Sequence, residues 1–279
     1  MINPSKQRLD CKSFFEDNIK LWDDYYDKNE GNPYKHNLNL LKNVLKNYNN
    51  KCTLLDIGCG TGIPLLEFLK MGFVSSGCDF TDSSVRLARN NLDKHGYSNP
   101  IFKADVEDET TLPKQKFDII VSIGVFPHLV DDKRSLNNIK NMLNDRGTVL
   151  IQFRNDLFNL FTLNAYSKDF MKRLVDFNTL PEPLKTKVEE FYNERLSIGG
   201  INSEFDILSK FHNPLTIKDD LFQEYDIKNI HFFHYHRLPP IFQLKDNALF
   251  RKLGDEIENP NNWKGYFMAS SFIVEAQLK

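Results

Sequence analysis

The chain has 279 residues, 41% of them hydrophobic and 27% charged. This composition excludes a disordered chain and allows one large core that buries about three quarters of the unfolded surface. A net charge of −2 and a pI of about 6.4 lack the basic surplus of a duplex-binding protein, so a small-molecule partner is expected and no nucleic acid. No run approaches the roughly 18–20 apolar residues that cross a bilayer, and no secretion signal is visible. Cys11, Cys52, Cys59 and Cys78 have no C-x-x-C spacing. A cytoplasmic protein with free thiols, no membrane partner and no metal is expected.

Residues 12–29 carry Phe15, Ile19, Trp22 and Tyr26 at helical spacing, and 36–49 repeat the pattern with Leu38, Leu41, Val44 and Leu45. Between them, Glu30-Gly31-Asn32-Pro33-Tyr34 reads as a turn. From residue 52 short apolar runs at 53–57, 73–79, 100–104, 117–123 and 147–153 alternate with helical patterns at 63–71, 82–95 and 132–144. Such alternation predicts right-handed βαβ units in a mainly parallel sheet covered on both faces. Residues 155–215 break the rhythm. Phe158, Phe161, Tyr166, Phe170 and Leu174 predict one amphipathic helix, and Val188, Phe191, Tyr192 and Leu196 another, lying over the carboxyl ends of the strands. Thr216 is placed to cap a short helix over 217–225, and strand-like runs at 226–236 and 266–276 complete the sheet. The expected organisation is one doubly wound α/β domain with a seven-stranded sheet. It comprises a helical cap at 1–50, a cofactor-binding core at 51–153, a helical lid at 154–215 and closing elements at 216–279.

The informative stretch is Leu54-Leu55-Asp56-Ile57-Gly58-Cys59-Gly60-Thr61-Gly62, which follows a buried strand and opens a helix. At such a turn glycines permit positive φ and let a ligand lie against the backbone, while the helix N-terminus offers unpaired N–H donors. Asp79 ends the next strand, 21 residues after Gly58, where a carboxylate can accept both ribose hydroxyls of an adenosine. On the residues alone two cofactors compete. A nicotinamide fingerprint wants G-x-G-x-x-G facing a pyrophosphate. Here the spacing is G-x-G-x-G, and Asp56 stands two residues ahead, where it would repel a pyrophosphate but orient a cationic amino group.

This string resembles the first motif of class I S-adenosylmethionine-dependent methyltransferases, [VIL]-[LV]-D-[IVL]-G-C-G-x-G, at every position. The resemblance extends to Asp79, to Ala104-Asp105-Val106, to the fourth strand Phe117-Asp118-Ile119-Ile120-Val121 and to the fifth, Gly147-Thr148-Val149-Leu150-Ile151. It implies a methyltransferase that binds S-adenosylmethionine through Asp56, Gly58, Cys59, Gly60, Gly62, Asp79, Phe80, Asp105, Val106 and Ile123, with Trp22 and Tyr26 closing over it. Many members carry a Glu-His pair after strand four; this chain departs with Gly124-Val125-Phe126-Pro127-His128, keeping only the histidine.

At the same rim His128, Arg154, Asn155 and Asp156 are acceptor-site candidates, with His128 or Asp156 as base, and Tyr34, His236 and Arg237 as further contacts. An arginine there suits a phosphate or carboxylate. In a strand His234 and His236 share one face and His231 the other, which argues against a metal. The function expected is methyl transfer to a small acceptor, the oxygen of a sugar, nucleotide sugar or phosphorylated metabolite, in surface polysaccharide synthesis. A small-molecule N-methyltransferase, an RNA methyltransferase, an NAD-dependent oxidoreductase and a noncatalytic cofactor scaffold are the alternatives. The oligomeric state is open, a homodimer included.

Overall fold

The computed structural model describes residues 9–19, 33–196, 209–242 and 247–279. Trp22, Tyr25 and Tyr26 lie outside them, as does the side chain of Tyr34. In chain order the elements are α1 (9–19), α2 (Pro33–Leu45), β1 (Thr53–Ile57), α3 (Ile63–Lys70), β2 (Val74–Asp79), α4 (Asp82–Lys94), β3 (Ile101–Lys103), β4 (Phe117–Ser122), α5 (Asp132–Asn141) and β5 (Leu143–Arg154). Then follow α6 (Phe158–Phe161), α7 (Ala165–Leu174), α8 (Glu182–Leu196), α9 (Ile217–Asp220), β6 (Tyr225–Tyr235), α10 (Asn247–Asp255), α11 (Gly265–Met268) and β7 (Ala269–Leu278).

The strands form one sheet in the order β3-β2-β1-β4-β5-β7-β6, parallel except for β7, which runs antiparallel between β5 and β6. The expected doubly wound, mostly parallel seven-stranded sheet holds. Its alternation has a direct cause. Leu54, Ile119, Val121, Leu150 and Ile273 point to one face and pack with Leu41 and Leu45 of α2 and Phe68 of α3. Their neighbours Leu55, Ile57, Ile120, Val149, Ile151 and Val274 point to the other, against Leu136 and Ile139 of α5. With both faces covered, the central strands carry continuous apolar stretches, Ile119-Ile120-Val121 in β4 and Val149-Leu150-Ile151 in β5. On the far strands Glu275 accepts from Tyr48 Oη at 2.6 Å and Asn229 Nδ2 at 2.9 Å and lies 2.7 Å from His231 Nε2, which ties the end of α2 to β6 and β7. These contacts hold the Glu275 carboxyl down near pH 2, against its burial.

Several boundaries differ from expectation. The helix expected over 36–49 runs Pro33–Leu45, because proline is accommodated in a first helical turn. The single helix expected across 158–174 is broken: Leu163 adopts φ 55° and Asn164 caps α7, accepting from Tyr166 N at 3.0 Å. The strand expected from 266 starts at Ala269, since Gly265–Met268 still forms a helical turn. The segment 237–265 carried no reading; it contains α10 and the start of α11. Among the described residues no helix is long and apolar enough to cross a membrane.

The order of strands reverses direction between β1 and β4, which opens a crevice at their carboxyl ends. The segment 209–212 lies over this rim. Lys210 N donates to Pro127 O at 2.8 Å, His212 N to Arg154 O at 2.8 Å, and Asp156 N to His212 O at 2.9 Å.

Candidate active site

The crevice is a cleft of about 1170 Å³ counting its open mouth, ample for a nucleoside-sized ligand. Its floor is the turn after β1. Gly58 N and Cys59 N both donate to Cys78 O, at 2.8 and 3.0 Å, which folds the turn back onto β2. Gly58 has φ 73°, and a Cβ there would meet Val125 Cγ2 at 2.2 Å; at Gly60, φ 51°, a Cβ would meet nothing within 4 Å. The first glycine therefore permits the close approach of the β4 loop, and the second leaves backbone bare to the cleft. Gly62 is not a wall residue: it begins α3 and packs against Ala88 of α4.

Two buried carboxylates face this turn. Asp79 accepts from Gly60 N at 3.1 Å through Oδ2, and from Thr81 N and Oγ1 at 3.0 and 2.9 Å through Oδ1. Burial still raises its pKa, opposed by those bonds. Asp56 is 3% exposed and its Oδ2 has no partner. Burial first, then the charge of Asp79, push its carboxyl up to about 7. Burial likewise pushes the Cys59 and Cys78 thiols up, which keeps them unreactive. An orphaned buried carboxylate oxygen beside a bare backbone turn fits a cationic amino group lying along that turn.

The remaining walls come from Phe80, Asp105, Val106 and Ile123, four of the residues named for the cofactor, and from residues the sequence reading did not name for the site. Cys11, Phe15 and Ile19, spaced by four, line the cleft from α1. Phe15 stands edge-on to both Phe80 and His128, with centroids 6.2 and 5.3 Å away. The helical stripe was visible, but its aromatic members Trp22 and Tyr26 drew the assignment. Glu107 lines the wall too, and its Oε1 accepts from Val130 N and Asp131 N at 3.0 and 2.7 Å, fixing the entry to α5. Gln152 Oε1 accepts from Gly124 N at 3.1 Å and Asn37 Nδ2 at 2.8 Å, which pins α2 to the β4 loop.

Of the acceptor candidates the structure brings His128 to the cleft, on a 3-10 turn Phe126–His128 whose Phe126 and Pro127 are buried. The others are engaged elsewhere. Arg154 lies 4.3 Å over the Phe211 ring and donates to Ser209 Oγ. Asn155, fully buried, donates to the carbonyls of Gly265, Tyr266 and Ala269, locking α11 to the end of β5. Asp156 receives both guanidinium nitrogens of Arg173, at 2.7 and 2.8 Å, so it is held to the insertion and is not an available base. Arg237 pairs with Glu256 at 3.1 Å. His236 is 8% exposed, packed against Phe158 and Phe250, and neither ring nitrogen has a partner. Burial, with the nearby Arg251 charge, drives its pKa down to about 3, so the ring is neutral. Because a neutral ring with two idle nitrogens gains nothing from its polarity, His236→Phe is expected to hold or raise the melting temperature. A fall of several degrees would show that the ring is satisfied by a bound group.

The family model for a "Methyltransferase domain" matches residues 48–195, more than half of the chain. The chain belongs to the methyltransferase-domain family. The expectation of a class I S-adenosylmethionine-dependent methyltransferase stands with it. This methyltransferase is 23% identical over 184 residues to the ubiquinone biosynthesis O-methyltransferase of Coxiella burnetii (strain Dugway 5J108-111), covering 64% of this chain and 76% of that one. It is 24% identical over 130 residues to the protein of the same name from Histophilus somni (strain 2336), covering 45% and 55%. Its fold is similar to that of magnesium protoporphyrin IX methyltransferase from Synechocystis PCC 6803 crystallised with S-adenosylhomocysteine, with TM-score 0.58, 14% identity and coverage of 98% and 100%. A methyltransferase from Clostridium acetobutylicum ATCC 824 superposes at TM-score 0.57 with 14% identity, covering 93% of this chain and 98% of that one.

Proposed function

We propose that this methyltransferase binds S-adenosylmethionine in the cleft and methylates a hydroxyl oxygen of a small acceptor, with His128 receiving the proton. The observation that carries this is the pairing of Asp79, one strand over from the bare Gly60 backbone, with the orphaned Asp56 Oδ2. Asp79 is placed for the ribose diol, Asp56 for the methionine amino group, and Asp105, Val106 and Phe80 for the adenine, with Ile123 on the β4 side. When bound, the cofactor supplies an electrophilic methyl on a sulfonium. The protein then has to align the acceptor and exclude water, and orientation alone removes about 7–11 kcal/mol of barrier. His128 is the one titratable side chain on the β4 wall among the described residues, which makes it the base for a hydroxyl.

An oxygen acceptor agrees with the O-methyltransferase names of the relatives. The sugar and phosphate acceptors suggested by the rim rested on Arg154 and Asn155, which the fold uses for other contacts. An RNA acceptor would want a basic face on the insertion. There Lys168 and Lys172 pair with Glu189, Lys185 with Glu182 and Arg173 with Asp156, which supports a small molecule.

Turnover tests the reading: S-adenosylhomocysteine should accumulate when purified protein is given S-adenosylmethionine and a panel of hydroxyl compounds, and transfer only to amines would replace it. A pH dependence accompanies cofactor binding. The Asp56 carboxyl sits near 7 in the free protein, and an ammonium beside it favours its ionised form, so binding releases a proton below that value. Affinity for S-adenosylhomocysteine should therefore rise as pH increases through about 7, and Asp56→Asn should flatten the rise. Calorimetric titrations at several pH values check it; a flat wild-type profile would remove Asp56 from the amino-group site.

A further inference from the structure

The carboxyl end of β6 carries a group of basic side chains that the proposed reaction does not use. β6 runs antiparallel to β7, and β7 antiparallel to β5, so β6 points the same way as β4 and β5 and ends at the same rim. In the order β4-β5-β7-β6 three strand spacings, about 14 Å, separate its end from the cleft wall at β4. Between them, buried Asn155 and its three carbonyl partners around α11 fill the rim. The group consists of His234, His236 and Arg251 of α10. The two imidazole rings lie 4.9 Å apart. Arg251 Nη1 lies 2.6 Å from His234 Nε2, and its Nη2 donates to Tyr235 O at 2.8 Å. Phe158 of α6 and Phe250 of α10 close over the His236 ring, with centroids 4.8 and 5.8 Å away.

This group holds a charge that the fold does not balance. Arg251, like His236, is 8% exposed. A guanidinium is always charged and only donates, so His234 Nε2 is the acceptor, which leaves that ring neutral with its proton on Nδ1, toward Ser270 Oγ. The other partner of Arg251 is a backbone carbonyl, also neutral. Asp255 and Glu258 act on Arg251 from beyond ion-pair distance, and burial lowers its pKa. Arg251 Nε is buried without a partner, as are Nδ1 and Nε2 of His236. A buried cation held by neutral groups, with an N–H left idle, is costly unless something negative completes it. A metal ion would be repelled by the guanidinium, and a neutral ligand would leave the charge unpaired. We infer that the end of β6 is a second binding site, for a small oxyanion: the carboxylate or phosphate group of a ligand other than the methyl acceptor, held by Arg251 Nε–H and an N–H of His236. An oxyanion supplies acceptors to both side chains and cancels the Arg251 charge. It also joins α10 to the end of β6 beneath Phe158, in the first helix of the insertion, so its occupancy steadies the base of that insertion.

The full chain, dialysed into a buffer free of oxyanions, is titrated by calorimetry with inorganic phosphate and with acetate at constant ionic strength. The expected result is one site per chain for at least one of them; phosphate alone assigns a phosphate group to the ligand, and acetate alone a carboxylate. His236→Phe should weaken that binding by at least about tenfold, and Arg251→Met should abolish it. At about ten times Kd the anion should raise the parent's melting temperature by about 3 °C and leave that of His236→Phe unchanged. In oxyanion-free buffer His236→Phe holds or exceeds the parent's melting temperature, so misfolding does not imitate the loss. A general salt effect on the surface would raise both proteins equally. Equal rises, or neither heat nor a shift with either anion, overturn the site. Competition between the anion and S-adenosylhomocysteine would place the anion in the cleft and overturn it as well.

Discussion

His128→Gln is expected to lower kcat for a hydroxyl acceptor by about 10²- to 10⁴-fold while affinity for S-adenosylhomocysteine stays near that of the parent protein. Glutamine occupies similar space and can still hydrogen-bond, but it cannot take a proton. The imidazole sits on a rigid 3-10 turn anchored by buried Phe126 and Pro127, with Phe126 stacked edge-on to Phe153 at 5.1 Å, so the substitution does not unseat the loop. Phe15 holds the ring from the opposite wall. Asp156, the other base anticipated at this rim, is bound on both oxygens by Arg173 and cannot substitute. Single-turnover and steady-state rates with a hydroxyl acceptor that the parent protein turns over measure the loss. A kcat within tenfold of the parent would assign proton removal to water or to another group.

Asp79→Asn is expected to weaken S-adenosylhomocysteine binding on the order of 100-fold, about 3 kcal/mol, the scale of charge-assisted hydrogen bonds lost from a buried carboxylate. The carboxylate is held to Thr81 by one oxygen and to Gly60 N by the other, and the Gly60 side is the one that opens on the cleft. An asparagine oxygen can keep the Thr81 bonds, so the melting temperature should move little. Its amide then presents donors where a ribose diol also presents donors, so acceptance is lost. A second consequence identifies the charge itself. Asp79 helps to raise the Asp56 carboxyl, and without that charge the pH dependence of the residual binding moves to lower pH. Equal loss of binding and of melting temperature would instead make Asp79 a strut of the fold.

The half of the cleft proposed for the cofactor was legible because its chemistry is local. Asp56, the glycine turn and the start of α3 fall within nine consecutive residues, and Asp79 closes the next strand where a βαβ unit must place it. The acceptor half was not. Strand ends identify rim residues without saying what meets them from far along the chain, and Asn155 is claimed by carbonyls 110–114 residues away. Arg154 is taken by Ser209, and Arg237 by Glu256 in the turn after α10, a helix that no periodicity announced. The broken helix at Leu163 escaped for a different reason: the apolar spacing runs on through it, and a left-handed φ at a leucine leaves no mark in composition. Phe15 and Ile19 were read only as members of a helically spaced apolar stripe; that this face lines a cleft depends on where α1 docks, which pattern alone does not carry.

The most direct measurement is a calorimetric titration of the full chain with S-adenosylhomocysteine at neutral pH. A single site per chain with a Kd on the order of micromolar, accompanied by a rise in melting temperature, is the predicted result. No heat at any ligand concentration and an unchanged melting temperature would contradict it.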